Sequence, residues 1–272
     1  MLSPMRIILI RHGESQGNVD WKTYSAIGDP QVPLTDTGWA QARDAGAFLR
    51  DWFNDPARGN RAGRWPQIYV SPFLRTRETL SGVLHGLGDD PLAGTCNIRE
   101  EARLAEQSFG FLAYADAQQG FLKRAFARAI VNVSQQVYKH SPYLSFPLFG
   151  ESPMMVQNRV SDFIGTLYRD HDKRGTNDVM IVAHGGVIKA FMMRWFHLPL
   201  SGWSDLKTPG NCDVFVIEKR DPEKIAGTPG AGWSITRIYD GEVGVAVNDN
   251  PLARVQLFAE SRLPQFPDRL KR

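Results

Sequence analysis

Apolar positions along the chain fall into two patterns. Short continuous runs, RIILI at 6–10, QIYVS at 67–71 and DVMIVA at 178–183, have the character of strands buried on both faces of a sheet. Each is followed, after a turn or loop, by a longer segment with helical spacing. LTDTGWAQARDAGAFLRDWF at 34–53 repeats its apolar residues at Ala40, Ala47, Phe48 and Phe53, with Thr35 or Thr37 as the cap. SPFLRTRETLSGVLHGL at 71–87 opens on Ser71 and Pro72, an N-cap and first-turn pair, so a helix is predicted from there. GGVIKAFMMRWF predicts an apolar helix reaching about residue 196. CDVFVIEK and WSITRIYD read as two further strands, a hairpin at one sheet edge joined by the Pro/Gly-rich RDPEKIAGTPGAG.

The polar stretch ESQGNVDWKTYSAIGDPQVP at 14–33 reads as a long loop, broken by Gly17, Gly28, Pro30 and Pro33. The segment at about 109–150 leaves the strand and helix alternation and predicts a helical insertion over one end of the sheet, its aromatics mostly packing and a few lining a mouth. The tail from about Gln256 supports no element. The expected fold class is α/β: a three-layer α/β/α sandwich with a mostly parallel central sheet, in one domain over 1–272.

Composition narrows the partners. The chain has 272 residues, 42% hydrophobic and 22% charged, with a formal charge of only +3 and scattered basic residues, which argues against nucleic acid. No apolar stretch approaches the ~20 residues of a spanning helix, and the N-terminal MLSPMRIILI is too short in its apolar part for a secretory signal. Cys96 and Cys212 are too far apart for a CxxC site and read as reduced thiols. The expectation is a cytoplasmic protein without membrane contact; its oligomeric state is open.

In an open α/β sheet, ligands gather beyond the carboxyl ends of the strands. Arg11 and His12 follow the first run, Arg75 lies just past the second, and His184, Gly185 and Gly186 follow the third. Two arginines, a histidine, the backbone amides of Gly13 and Gly185, and a helix N-terminus make a site for a tetrahedral dianion, phosphate. The arginines neutralise charge as a metal does elsewhere, so neither metal nor cofactor is required. A neutral imidazole is a competent nucleophile at neutral pH, and neighbouring positive charge keeps it unprotonated. His12 is assigned attack and His184 phosphate binding. A leaving alcohol needs a proton donor, for which Glu106 is chosen ahead of Glu14, Glu100 and Glu101. His85, His140, His171 and His197 lack such company and read as surface or helix-end residues. Arg77 reads as a solvated helix residue, and Glu151 and Ser152 as helix initiation before Pro153.

The motifs LIRHGES, SPFLRTRET, LAEQSFG and VAHGG, in that order over residues 9–186, resemble the histidine phosphatase superfamily, also called phosphoglycerate mutase-like. Within it, RIILIRHGESQGNVD, FGES and GNCDVFV are similar to the plant and fungal phosphoglycerate mutase-like phosphatases. The resemblance implies a phosphohistidine on His12, phosphate held by Arg11, Arg75 and His184, Glu106 as acid and base, and the Asn18 amide as a further phosphate contact. The implied activity is metal-independent hydrolysis of a small-molecule phosphate ester. The alternatives are a phosphoglycerate-type phosphomutase, against which QSFGFLAYADAQQG after Glu106 departs from the mutase signature, and a non-catalytic module binding phosphorylated ligands.

Overall fold

Ile7, Ile8, Leu9 and Ile10 are all buried, none more than 1% exposed. Burying each contributes roughly 1.5–3 kcal/mol, and alternation sends them to opposite faces of the sheet. Ile7 and Leu9 join a core with Val160, Phe163, Ile188 and Phe191, whereas Ile8 and Ile10 join one with Ala42, Leu49, Leu80 and Val83. A strand feeding two cores is the centre of a three-layer sandwich.

The computed structural model describes residues 6–55, 66–88, 97–111, 121–176, 178–219, 232–253 and 255. Their strands are β1 (Arg6–Arg11), β2 (Gln67–Val70), β3 (Ile98–Glu100), β4 (Asp178–Ala183), β5 (Val214–Lys219), β6 (Trp233–Asp240) and β7 (Val245–Asp249). They form one sheet in the order β3-β2-β4-β1-β5-β6-β7. β3, β2, β4 and β1 run parallel, and the β5, β6 and β7 side is antiparallel. The longer helices are α3 (Asp36–Asn54), α4 (Leu74–Gly86), α5 (Phe121–His140), α6 (Pro153–Arg174) and α7 (Gly185–Trp195). α3 and α4 cover one face, and α6 and α7 the other. α6 starts as its sequence predicts: Ser152 accepts a hydrogen bond from Met155 N, Pro153 occupies the first turn, and Gly175 ends the helix in the left-handed region at φ 65°.

Four expectations change. α4 begins at Leu74 with Phe73 as N-cap, not at the Ser71–Pro72 pair, because the Ser71 hydroxyl is engaged by His184. The stretch 14–33 is not all loop: it holds two short helices, α1 (Gln16–Val19) and α2 (Lys22–Ile27), and a 3-10 turn over Asp29–Gln31. The C-terminal hairpin is not the sheet edge, since β7 adds beyond β6. The aromatics of α5 are not packed: Phe121 and Phe126 are 85% and 66% exposed, and Ala127 is the helix's one buried residue among those described. The hairpin's connecting loop, Cys96 and the tail from Gln256 lie outside the described residues.

Candidate active site

Register brings the expected residues together. Arg11 pairs with Ala183 across β1 and β4, and Val70 pairs with Val182 across β2 and β4. The first residues beyond those pairs therefore leave the sheet side by side. His12 N donates to Ala183 O and Ser71 N to Val182 O. The rings of His12 and His184 meet edge to face, with centroids 5.2 Å apart.

His12 is 3% exposed, and its Nδ1 lies 2.8 Å from the Gly13 carbonyl oxygen. A carbonyl only accepts, so Nδ1 carries the proton and Nε2 keeps its lone pair. Burial, then the guanidiniums of Arg75 and Arg11, hold its pKa well below the ordinary imidazole range. The turn that carries it is tight: Gly13 N donates to Thr79 Oγ1, and a Cβ on Gly13 would come within 2.6 Å of Gly38 O. Asn211 Nδ2 and Cys212 N both donate to the His12 carbonyl.

His184 is fully buried and caps α7 as its N-terminal residue. Its Nε2 lies 2.8 Å from Ser71 Oγ, which already accepts from Phe73 N and is free to donate to the ring. In that tautomer Nδ1 bears the proton, on the side where Glu106 Oε2 lies 3.9 Å away. Burial, Arg75, His12 and Arg11 push the His184 pKa well down. Glu106 is largely buried, and that burial raises its pKa, opposed by the Gln107 N–H that it accepts. Its loop is tied to α6 by Arg159, which donates to the carbonyls of Glu106 and Arg103 and pairs with Glu151.

Arg11 donates through an Nη to Pro209 O at 2.5 Å. Arg75, 1% exposed, donates to both the carbonyl and the carboxylate of Asp29, at 2.8 and 2.7 Å. Arg11 Nε, Arg75 Nε and His184 Nδ1 are buried and have no hydrogen-bond partner among the described residues. Leaving such a group unmet costs about 1–3 kcal/mol each. Gly185 and Gly186 open the N-terminal turn of α7: a Cβ on Gly185 would meet Thr208 Cγ2 at 2.9 Å, and one on Gly186 would meet Glu106 Oε1 at 2.9 Å.

Asn18 sits near the cluster, but its Oδ1 accepts from Ser15 N, Ser15 Oγ and Asn211 Nδ2, so that oxygen closes the turn after RHGE. Arg77 is exposed and pairs with Glu100. His85, His140, His171 and His197 all lie away from the cluster, His85, His140 and His197 on the surface and His171 bound to Thr176 O. Ser71, Asp29 and Asn211 were missed by sequence reasoning as site residues. Ser71 carried a signal, a polar residue at a strand exit like His12 and His184; Asp29, inside an apparent loop, carried none. Among the described residues no group of three or more His, Cys, Asp or Glu could hold a metal ion, and no helix is long and apolar enough to cross a membrane.

Residues 7–226 match the family model of the histidine phosphatase superfamily (branch 1). The chain is 34% identical over 223 residues to phosphoglycerate mutase-like protein AT74H of Arabidopsis thaliana, covering 79% of this chain and 74% of that one. It is 26% identical over 297 residues to the broad-range acid phosphatase DET1 of Saccharomyces cerevisiae, covering 79% and 85% respectively. A solved mycobacterial glucosyl-3-phosphoglycerate phosphatase shares the fold with a TM-score of 0.57 at 21% identity, over 86% of this chain and 97% of that one. The ordered motifs, the sheet and the match across most of its length agree, and the chain belongs to the histidine phosphatase superfamily (branch 1).

Proposed function

We propose that the chain is a phosphomonoesterase that works through a phosphohistidine on His12, with Glu106 as general acid and then base. The observation that carries this reading is the trio of buried, unmet donors, Arg11 Nε, Arg75 Nε and His184 Nδ1, around an imidazole whose free lone pair is on Nε2. A phosphoryl group satisfies all three donors through its oxygens.

In the first step the Nε2 lone pair forms a bond to phosphorus while the bond from phosphorus to the ester oxygen breaks. Glu106 delivers its proton to that oxygen, and burial, which keeps the carboxyl protonated to higher pH than usual, favours the delivery. Arg11, Arg75 and His184 stabilise the charge spread over the phosphoryl oxygens, and the N-terminal turn of α7 adds its backbone amides. In the second step the Glu106 carboxylate takes a proton from water, the water oxygen bonds to phosphorus, and the electron pair of the N–P bond returns to Nε2. Asn18 contributes its side-chain amide to the same group once the turn at Ser15 admits it. The substrate is a small-molecule phosphate ester, and the described residues of the insertion, 109–111 and 121–150, cap the site within the single domain, while 112–120 lie outside the described residues.

The test is to incubate the protein with a panel of phosphomonoesters including 3-phosphoglycerate, following free phosphate, isomer formation and acid-labile label on the protein. Phosphate release with label on His12, both lost in His12→Ala, is the expected result. Isomer formation without release would replace hydrolysis by mutase chemistry, and release that survives His12→Ala would remove His12 from the mechanism.

A further inference from the structure

Beside Glu106 and Arg11 opens a cavity of about 490 Å³, larger than a phosphate needs. Most of its exposed wall area is apolar, with Trp203, Phe146, Pro147 and Tyr138 among the residues that supply it. Lys189 lines the same space from α7. It lies four residues after Gly185, on the same helix face and one turn further along, ~6 Å on the axis. A group in the cavity would thus meet the phosphate-binding turn at one end and a cation at the other.

Lys189 is 9% exposed, and its Nζ lies 4.4 Å from the centroid of the Trp203 ring. No hydrogen bond or ion pair joins it to another described residue. A ring face offsets only part of the cost of taking an ammonium out of water, and a methionine would fill the same space without that cost. Burial lowers the Lys189 pKa to about 8, which still leaves most of it protonated at neutral pH. Among the described residues, the other charged groups lining the cavity are Arg11, Lys139 at the exposed rim, and Glu106, whose ionised form burial disfavours. The described charged groups make the field in the cavity positive.

Building on the phosphatase reading, we infer that this cavity is the subsite for the leaving alcohol, and that Lys189 selects esters whose apolar or aromatic alcohol carries a second anionic group. The apolar walls bind the body of the alcohol, and the ammonium, held against the Trp203 ring and mostly withdrawn from solvent, receives a carboxylate or second phosphate.

The probes are a phenyl phosphate bearing a para propanoate arm and the methyl ester of the same compound, which match in leaving group and nearly in shape. Wild-type protein should prefer the propanoate by about tenfold or more in kcat/KM, mostly through KM, as expected for a desolvated charge pair. In Lys189→Met the ratio should fall to near one, and in Lys189→Arg it should recover in part; melting curves establish that the variants fold. A loss of packing alone would slow both esters alike and leave the ratio standing. A wild-type ratio near one, or a ratio that persists in Lys189→Met, overturns the assignment of Lys189. Hydrolysis of neither ester overturns the assignment of the cavity, while the phosphohistidine assay separately judges the phosphatase reading.

Discussion

Ser71 Oγ lies 2.8 Å from Nε2 of His184, joining the exit of β2 to the exit of β4 across 113 residues of chain. The hydroxyl sets which ring nitrogen of His184 faces the proposed phosphate site, because a ring nitrogen held by Ser71 leaves the other turned toward Glu106. Ser71→Ala removes that restraint and leaves a buried ring nitrogen unmet. It should lower kcat/KM for phosphomonoesters by about tenfold with the fold retained. Unchanged kinetics would mean that packing against Phe73 alone orients His184.

Asp29 occupies Arg75 as a phosphate would, through a 2.7 Å ion pair to a guanidinium that is almost wholly buried. Neutralising the carboxylate in Asp29→Asn keeps a hydrogen-bond acceptor and removes the competing negative charge. Inorganic phosphate should then inhibit at concentrations lower by about threefold or more. Weaker inhibition would show that Asp29 acts mainly to hold Arg75 in place.

Under the proposed mechanism the pH profile follows from two opposed shifts. His12 must be neutral to attack, and its pKa is pushed well below 6.5, so activity should be lost only as pH falls far into the acid range. Glu106 must be protonated to donate, and its pKa is raised above 4.5, so the alkaline limb should lie higher than an ordinary carboxyl would set it. A plot of kcat/KM against pH should be bell-shaped with an acidic maximum, each limb a property of the coupled site. An ester with a very good leaving group should lose much of the alkaline limb, since it needs little protonation. An alkaline limb identical for good and poor leaving groups would count against Glu106 as the acid.

Gly186 leaves room for the Glu106 carboxylate, as a Cβ there would stand 2.9 Å from Oε1. Gly186→Ala should push that flexible group aside, at little cost to stability but with a fall in kcat of about tenfold, since displacements on the order of 1 Å are costly in catalysis. The fall should be steepest for esters of poorly acidic alcohols. An equal fall for all esters would point to a disturbed α7 turn instead.

The parts of the site legible in the sequence were those written locally. RHG and HGG each sit at the end of an apolar run, and the rule that ligands gather at strand ends was enough to group Arg11, His12 and His184. Arg75 followed from the same rule applied to β2. Other features escaped for identifiable reasons. β3 has three residues and β7 alternates poorly, so neither carries the apolar signal that marked β1 and β4. Ser71 reads locally as a helix cap, and only a partner distant in sequence takes its hydroxyl away. Asp29 lies in a stretch rich in turn-forming residues, which hid both its short helical neighbours and its grip on Arg75.

By itself, then, the sequence determined which strands are central, where each leaves the sheet and which chemical groups stand there, since hydrophobic burial acts residue by residue along the chain. Tertiary structure decided how those groups meet and which others join them. The register of β1 and β2 on β4 sets His12, Ser71 and His184 abreast, and the packing of α6 carries Glu106 to them through Arg159. It also decided that Lys189, on a helix otherwise suited to the core, faces an open cavity, because that depends on which neighbours crowd each face of α7. Such contacts join residues far apart in the chain, and local pattern does not encode them.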